Sequence, residues 1–248
     1  MNFQKIKPDA TGDALYKIVA RALLSAVQSG ELKHGDALAS ETDLAKSLGV
    51  SVGTLRKAVD DLVAQQILVR HQGRGTYVAT HSRDRFLEQF FQVEAQSGLK
   101  EFPAVDTVEF TAGKANPREL AMLDLRPGDP VFRIGNLLSL QDRRVVSDQI
   151  CVPAVLFQGL TEKRVKERSS TLYHLYQTEF GITVVKAEER LRAIACTPEL
   201  AAALARPVGT PMIELHRVAR GLNGQAVEYR VSVIDTTQHE YVSHLVPG

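Results

Sequence analysis

Residues 51–57, Ser-Val-Gly-Thr-Leu-Arg-Lys, put two hydroxyls and two cations on the first turns of a potential helix. Ser51 stands where it can cap that helix, with Thr54, Arg56 and Lys57 close behind it. That is the chemistry of a helix end laid against base edges and phosphates in a major groove. Upstream, Ala45, Gly49 and Leu55 have helix-turn-helix spacing. The small residue lets two helices cross closely, the glycine makes the turn, and the leucine locks the second helix onto the first. Ser40, with Asp43 three residues on, forms the cap of the leading helix. Downstream, Arg70 and His71 precede Gly73, Arg74, Gly75 and Thr76, a glycine-flanked arginine between two short apolar runs. The pattern predicts a winged helix-turn-helix that contacts a double-stranded DNA operator through these residues, Ser40 and Ser51 included.

Such groups need rigid elements behind them. Asp13 to Ser29 carries Leu15, Ile18, Val19, Ala22, Leu23, Ala26 and Val27 at helical period and stops at Gly30. A second helix is expected from Ser40 to about Leu48, and a third from about Val52 to Gln65 that buries Leu55, Ala58, Val59, Leu62 and Val63. Ile67-Leu68-Val69 and Tyr77-Val78 supply the wing strands, which close near Ala79. The expected organisation is a DNA-binding head over residues 1–80, a polar linker over 81–86 and a second domain over 87–248, with a further helix over Arg85–Gln96.

The 248 residues suffice for two domains, each with its own core. Net charge is +1, so the whole chain does not advertise nucleic acid; the relevant charge is local, where Arg56, Lys57, Arg70 and Arg74 cluster. Phosphate attraction is short-ranged in salt, and a patch of this size serves a dimeric binder. No apolar run reaches a membrane span, and residues 1 onward lack a signal-peptide core, so a cytoplasmic protein without membrane contact is expected. Cys151 and Cys196 show no metal-ligand spacing and read as reduced residues in packed strands. No nucleophile–base pair, metal cluster or phosphate loop is present, so no enzyme activity, catalytic residue, metal or cofactor is expected.

The second domain contains an internal repeat. Pro117/Pro198, Ala121/Ala202, Leu123/Leu204, Gly128/Gly209 and Pro130/Pro211 recur 81 residues apart. Each unit reads as a capped helix with proline at its first position, a tight turn and a β-hairpin, turning near Gln141-Asp142-Arg143 and at Leu222-Asn223-Gly224. Two βαββ-like units of this kind predict one antiparallel sheet with helices to one side, an α+β fold. On the strands, Asp148 alternates with Val146, Ile150 and Val152, and Glu228 with Ala226 and Arg230. Carboxylates among apolar neighbours are costly unless partnered, which suits a ligand site.

The head resembles the GntR family of bacterial transcription regulators in Leu38-x-Ser40-Glu41-x-x-Leu44-Ala45, Gly49-Val50-Ser51, Thr54-Leu55-Arg56-x-Ala58 and Gly73-x-Gly75-Thr76-Tyr77-Val78. The remainder is similar to the UTRA effector-sensing domain of the HutC subfamily, a chorismate lyase-like fold. That similarity rests on Leu123-x-Leu125-x-x-Gly128, Ser170-Thr171-Leu172-Tyr173 before Phe180-Gly181, and Val227-Glu228-Tyr229. The resemblance implies a homodimer on a pseudo-palindromic operator, a repressor whose small-molecule effector changes the spacing of two DNA heads. It also implies an effector site at Ser170, Tyr173 and Glu228, with Asp148 on the equivalent strand and Arg230 beside Glu228. Sugar-phosphate-sensing members carry an Arg-x-Arg pair on the first hairpin; here those positions are Asn136 and Leu138. A buried phosphate dianion without two cations is poorly compensated, so the effector is expected not to be a phosphosugar. In the head, Ala39, Thr42 and Val52 replace the family's usual proline and two arginines, which shifts readout toward Arg56, Thr54 and the wing.

Overall fold

The computed structural model describes Ile6 and residues 13–243, and the chain divides into two compact units between Thr80 and His81. The signal-peptide reading of the first residues falls largely outside the described part. In the first unit, α1 (Leu15–Gln28), α2 (Glu41–Leu48) and α3 (Val52–Ala64) precede the antiparallel pair β1 (Leu68–His71) and β2 (Gly75–Val78). Val19, Leu23, Leu44, Leu48, Leu55 and Leu62 are almost fully buried and form the core. Each such side chain contributes about 1.5–3 kcal/mol when removed from water. Gly49 ends α2 at φ 72°, a left-handed conformation that a side chain would strain, and so sets the turn into α3. Ala45, also buried, keeps that region narrow.

The second unit is built on a six-stranded antiparallel sheet in the order β4-β5-β6-β9-β8-β7. Its strands are β4 (Ala104–Lys114), β5 (Pro130–Leu140), β6 (Arg143–Pro153), β7 (Val184–Ala195), β8 (Pro211–Gly221) and β9 (Ala226–Asp235). The repeat read in the sequence organises it. One half is β4, α5 (Pro117–Leu123), β5 and β6; the other is β7, α8 (Pro198–Leu204), β8 and β9. The two helices begin on the matched prolines and end on left-handed Asp124 and Ala205, and the halves join by β6–β9 pairing. Gln141 and Asp142, both at positive φ, make the two-residue turn between β5 and β6. Cys151 and Cys196 are free and buried, and burial pushes the Cys151 thiol up to about 12.

Helices cover both faces of this sheet rather than one. Leu123 of α5 packs with Val131, Cys151 and Tyr229, and Leu204 of α8 with Leu137, Met212 and Val233. The opposite face packs Ile134, Ile150 and Val227 against Leu172, Tyr173 and Tyr176 of α7 (Leu172–Phe180) and against Val165 of α6 (Glu162–Lys166). The period-two pattern of the central strands is apolar on both sides, and a sheet of that kind needs two covers.

The segment expected as a linker is structured. Ser82 caps α4 (Arg83–Gln89), and His81 is buried, its ring accepting from the Val184 N–H at 3.1 Å. The helix expected to reach Gln96 stops at Gln89; Val93–Ala95 is instead β3, paired with β10 (His239–Tyr241). A distant strand was available to take those backbone groups, which local periodicity does not register.

The repeat also locates a testable cap. Asn116 Oδ1 accepts from the Arg118 and Glu119 N–H groups at 3.0 Å each, and Glu119 reaches back to the Asn116 N–H at 2.8 Å. Asn116→Ala should lower unfolding free energy by about 1 kcal/mol in urea denaturation. Thr197→Ala, its counterpart on α8, should cost a similar amount.

Candidate DNA-reading head and effector cavity

Ser51 caps α3, its Oγ accepting from the Thr54 N–H at 3.1 Å and lying 2.8 Å from the Thr54 hydroxyl. Arg56 follows on the exposed side of α3, donating through Nε and Nη2 to Glu41 Oε2 at 3.0 and 2.7 Å. That carboxylate raises the Arg56 pKa, so the guanidinium is a permanent cation. Arg70 of β1 pairs with Asp60 and lies 3.7 Å from the same Glu41, so one carboxylate holds two arginines side by side. At the wing tip the Arg74 N–H closes a turn onto the His71 carbonyl at 3.0 Å, with Gly73 and Gly75 at φ 72° and 106°. Tyr77 donates to the Arg74 carbonyl at 2.9 Å and packs edge-on against His71, which leaves the Arg74 side chain exposed.

The second unit holds a cavity of about 240 Å³ on the α7 side of the sheet. Its floor is Asn136, Leu138, Asp148 and Arg230; Ser170, Thr171 and Tyr173 form one wall, and Phe86 and Phe102 another. Arg230 organises the floor. It is buried, donates to both oxygens of Glu228 at 3.0 and 3.2 Å, and donates to Asp148 at 3.0 Å. Burial alone would lower its pKa, but Glu228 and Asp148 together hold it well above the usual arginine range. Glu228 also accepts from Tyr173 at 3.1 Å and Tyr176 at 2.8 Å. Burial, then the Glu228 charge, pushes both phenols up, so they remain donors at neutral pH. The arrangement is a rigid, charge-paired base under a small chamber with hydroxyl, amide and aromatic walls. Among the described residues no group of His, Cys, Asp and Glu could hold a metal ion, and no helix is long and apolar enough to cross a membrane.

Residues 99–240 match the UTRA domain, and residues 15–78 match the gntR family of bacterial regulatory proteins. This chain belongs to the GntR family, with a UTRA domain. It is a transcription regulator by family, not an enzyme. It is 28% identical to the HTH-type transcriptional regulator SmoD of Agrobacterium fabrum over 95% of this chain and 98% of the relative. It is 28% identical to the mannosyl-D-glycerate transport/metabolism system repressor MngR of Escherichia coli, over 92% and 94%. The ligand-binding domain of a GntR-family regulator from Bordetella bronchiseptica superposes with a TM-score of 0.61 at 27% identity, covering 64% of this chain and 98% of that one.

In this GntR-family chain the expected DNA-facing residues do not all gather. Arg56 and Arg70 meet at Glu41, while Lys57 turns to α1, its Nζ 4.3 Å from the Tyr16 ring centroid. Successive residues on a helix point about 100° apart, so neighbours in sequence do not share a face, and the ring supplies a cation–π seat. Ser40 caps α2 through the Asp43 N–H at 3.1 Å, and Thr76 lies on β2 opposite Arg70.

Of the expected effector residues, Asn136, Leu138, Asp148, Ser170, Tyr173 and Arg230 line this cavity. Glu228 does not. It is fully buried beneath Arg230 and the two tyrosines, where its charge fixes the floor rather than meeting the chamber. Arg83, Phe86, Phe102, Lys166 and Arg168 also line the cavity and were not anticipated. Arg168 sits in the run Lys163-Arg164-Val165-Lys166-Glu167-Arg168, which reads as a solvated face; only its place two residues before Ser170 hinted otherwise.

Proposed function

We propose that this chain is a ligand-responsive repressor of the HutC type that binds a pseudo-palindromic operator as a homodimer and senses a small metabolite other than a phosphosugar. The observation that carries the effector reading is the state of Arg230. Its charge is shared between two buried carboxylates, and the two hairpin positions beside it are Asn136 and Leu138. A phosphate dianion on that floor would find no hairpin pair of cations to offset its desolvation. The homodimer reading is supported by a general argument: two heads on one duplex face lose many contacts at once when their spacing changes, which gives a small ligand leverage.

In the head, Thr54 and Arg56 read bases, while Arg70, His71 and the wing residues Gly73–Thr76 approach phosphates. Ser40 and Ser51 present helix starts, and Lys57 offers a cation at the α1 side. Arg74→Ala should weaken binding evenly across sequences and reduce the salt slope by about 1, read from mobility shifts over a salt series. An unchanged slope would remove the wing from the interface.

The deciding experiment is an operator mobility shift with the chain's own upstream region, repeated with candidate metabolites. Reversal by a metabolite without a phosphate group is the expected result. Tight, operator-releasing binding of a phosphosugar would overturn the effector assignment, and a shift that nothing reverses would leave a DNA-binding protein without a working sensor.

A further inference from the structure

Arg168 follows α6 and reaches the cavity wall with its charge uncompensated. Its Nη1 donates to the Thr107 hydroxyl at 3.3 Å and to the Val165 carbonyl. Thr107 donates onward to Asn136 Oδ1 at 2.8 Å, so the guanidinium is tied to the cavity floor. Its Nε is buried and has no hydrogen-bond partner among the described residues. Burial lowers its pKa most; the Tyr176 phenol works against that, and the neighbouring Arg230 cation adds to it. The other cations of the wall differ. Lys166 pairs with Glu162 at 2.7 Å, Arg83 stacks 4.0 Å over the Phe102 ring, and Arg230 is doubly neutralised.

A desolvated guanidinium with one idle edge is costly in the empty protein and is offset when an anion arrives. With Nη1 engaged, the Nε–Nη2 edge remains, and that fork matches the two oxygens of a single carboxylate. Among the described residues Arg83 also lacks a carboxylate partner, but it is exposed and stacked on Phe102, so Arg168 is the one desolvated cation of this wall without a carboxylate, fewer than a phosphate dianion would need. The chamber, at about 240 Å³, lies below the usual range of about 300–1,000 Å³ for ligand cavities, so the occupant is small.

We propose that Arg168 anchors the effector, and that the effector is a small monocarboxylate, a hydroxy, keto or amino acid. Its carboxylate takes the Nε–Nη2 edge, and its hydroxyl or amino donors reach Asp148 and Asn136. The proposal rests on the ligand-responsive reading above and names the ligand class for the same site.

The test uses the full chain, with thermal shift followed by calorimetry. The probes are small hydroxy, keto and amino carboxylates, each beside its own primary amide, with inorganic phosphate as a further arm. At least one acid should raise Tm while its amide does not. Arg168→Gln should weaken that acid by about tenfold or more, and Arg168→Lys should retain part of the affinity. An acid that binds Arg168→Gln as it binds wild type overturns the proposal. So does preference for amides or phosphate, or a panel in which no acid binds. A ligand-free arm checks the premise: Arg168→Met should leave Tm of the unliganded chain unchanged or higher. A clear fall would make Arg168 a structural residue and overturn its assignment as anchor. The wild-type operator shift reports separately on the regulatory reading; its absence with acid binding intact would sink that reading and leave this one standing.

Discussion

Arg230→Met should lower the unfolding free energy by about 3–5 kcal/mol, the cost of leaving buried carboxylates without their cation. Glu228 and Asp148 are 0% and 2% exposed, and Arg230 supplies three of the hydrogen bonds that hold them. Met fills similar space, so the loss is chiefly electrostatic and not a cavity effect. Equilibrium urea unfolding measures it, with Arg133→Met as the comparison. Arg133 binds Glu119 on the other face of the sheet, but it is about a quarter exposed and its loss should cost less. If Arg230→Met unfolds at the wild-type midpoint, the floor is not the charge-paired base described above. The neutralising pair of changes, Glu228→Gln with Arg230→Met, should recover part of the loss, because the partners would then be removed together.

Arg56→Ala should weaken operator binding by about 1–3 kcal/mol, roughly five- to 150-fold, if the guanidinium meets a base edge. Its present partner does not argue against this. The side chain is 60% exposed, and an ion pair as open to solvent as that with Glu41 is weak beside a bidentate base contact. Glu41→Gln should therefore move operator affinity by no more than about fivefold. Competition binding against non-specific duplex separates the two roles. Loss of discrimination places Arg56 on a base, and uniform weakening places it on a phosphate. Equal affinity of wild type and Arg56→Ala would remove α3 from the reading surface.

The head was legible because its determinants are local. Caps at Ser40 and Ser51, the turn at Gly49 and the glycines around Arg74 act within a few residues of themselves, and the helices and wing formed where those signals stand. The repeat was legible for a related reason: caps, prolines and turns punctuate each half identically, so two copies of the same local instructions produced two copies of the same unit. The extent of α4 was not local. Backbone groups at Val93–Ala95 paired with β10, about 145 residues away, and a pattern read through a window of neighbours carries no record of such a partner.

The candidate site shows the same division at finer grain. Alternation along each of β5, β6 and β9 sorts that strand's residues into two faces, a property of the sequence alone, and the pairing register then brings Asn136, Asp148 and Arg230 onto one face. Which of those charges neutralise one another could not be read that way. Glu228 and Arg230 are two residues apart on one strand, yet whether their charges are spent on each other or on a ligand depends on Asp148 from β6 and on two tyrosines from α7. Arg168 stands in a run of charges, and only the fold brings it to the Thr107 hydroxyl and, through that, to Asn136. Residue types and short-range spacing determined the elements and their faces. Three-dimensional packing alone decided where each charge was desolvated and what stood beside it, because Coulomb and desolvation energies depend on distance and burial in space and not on separation along the chain.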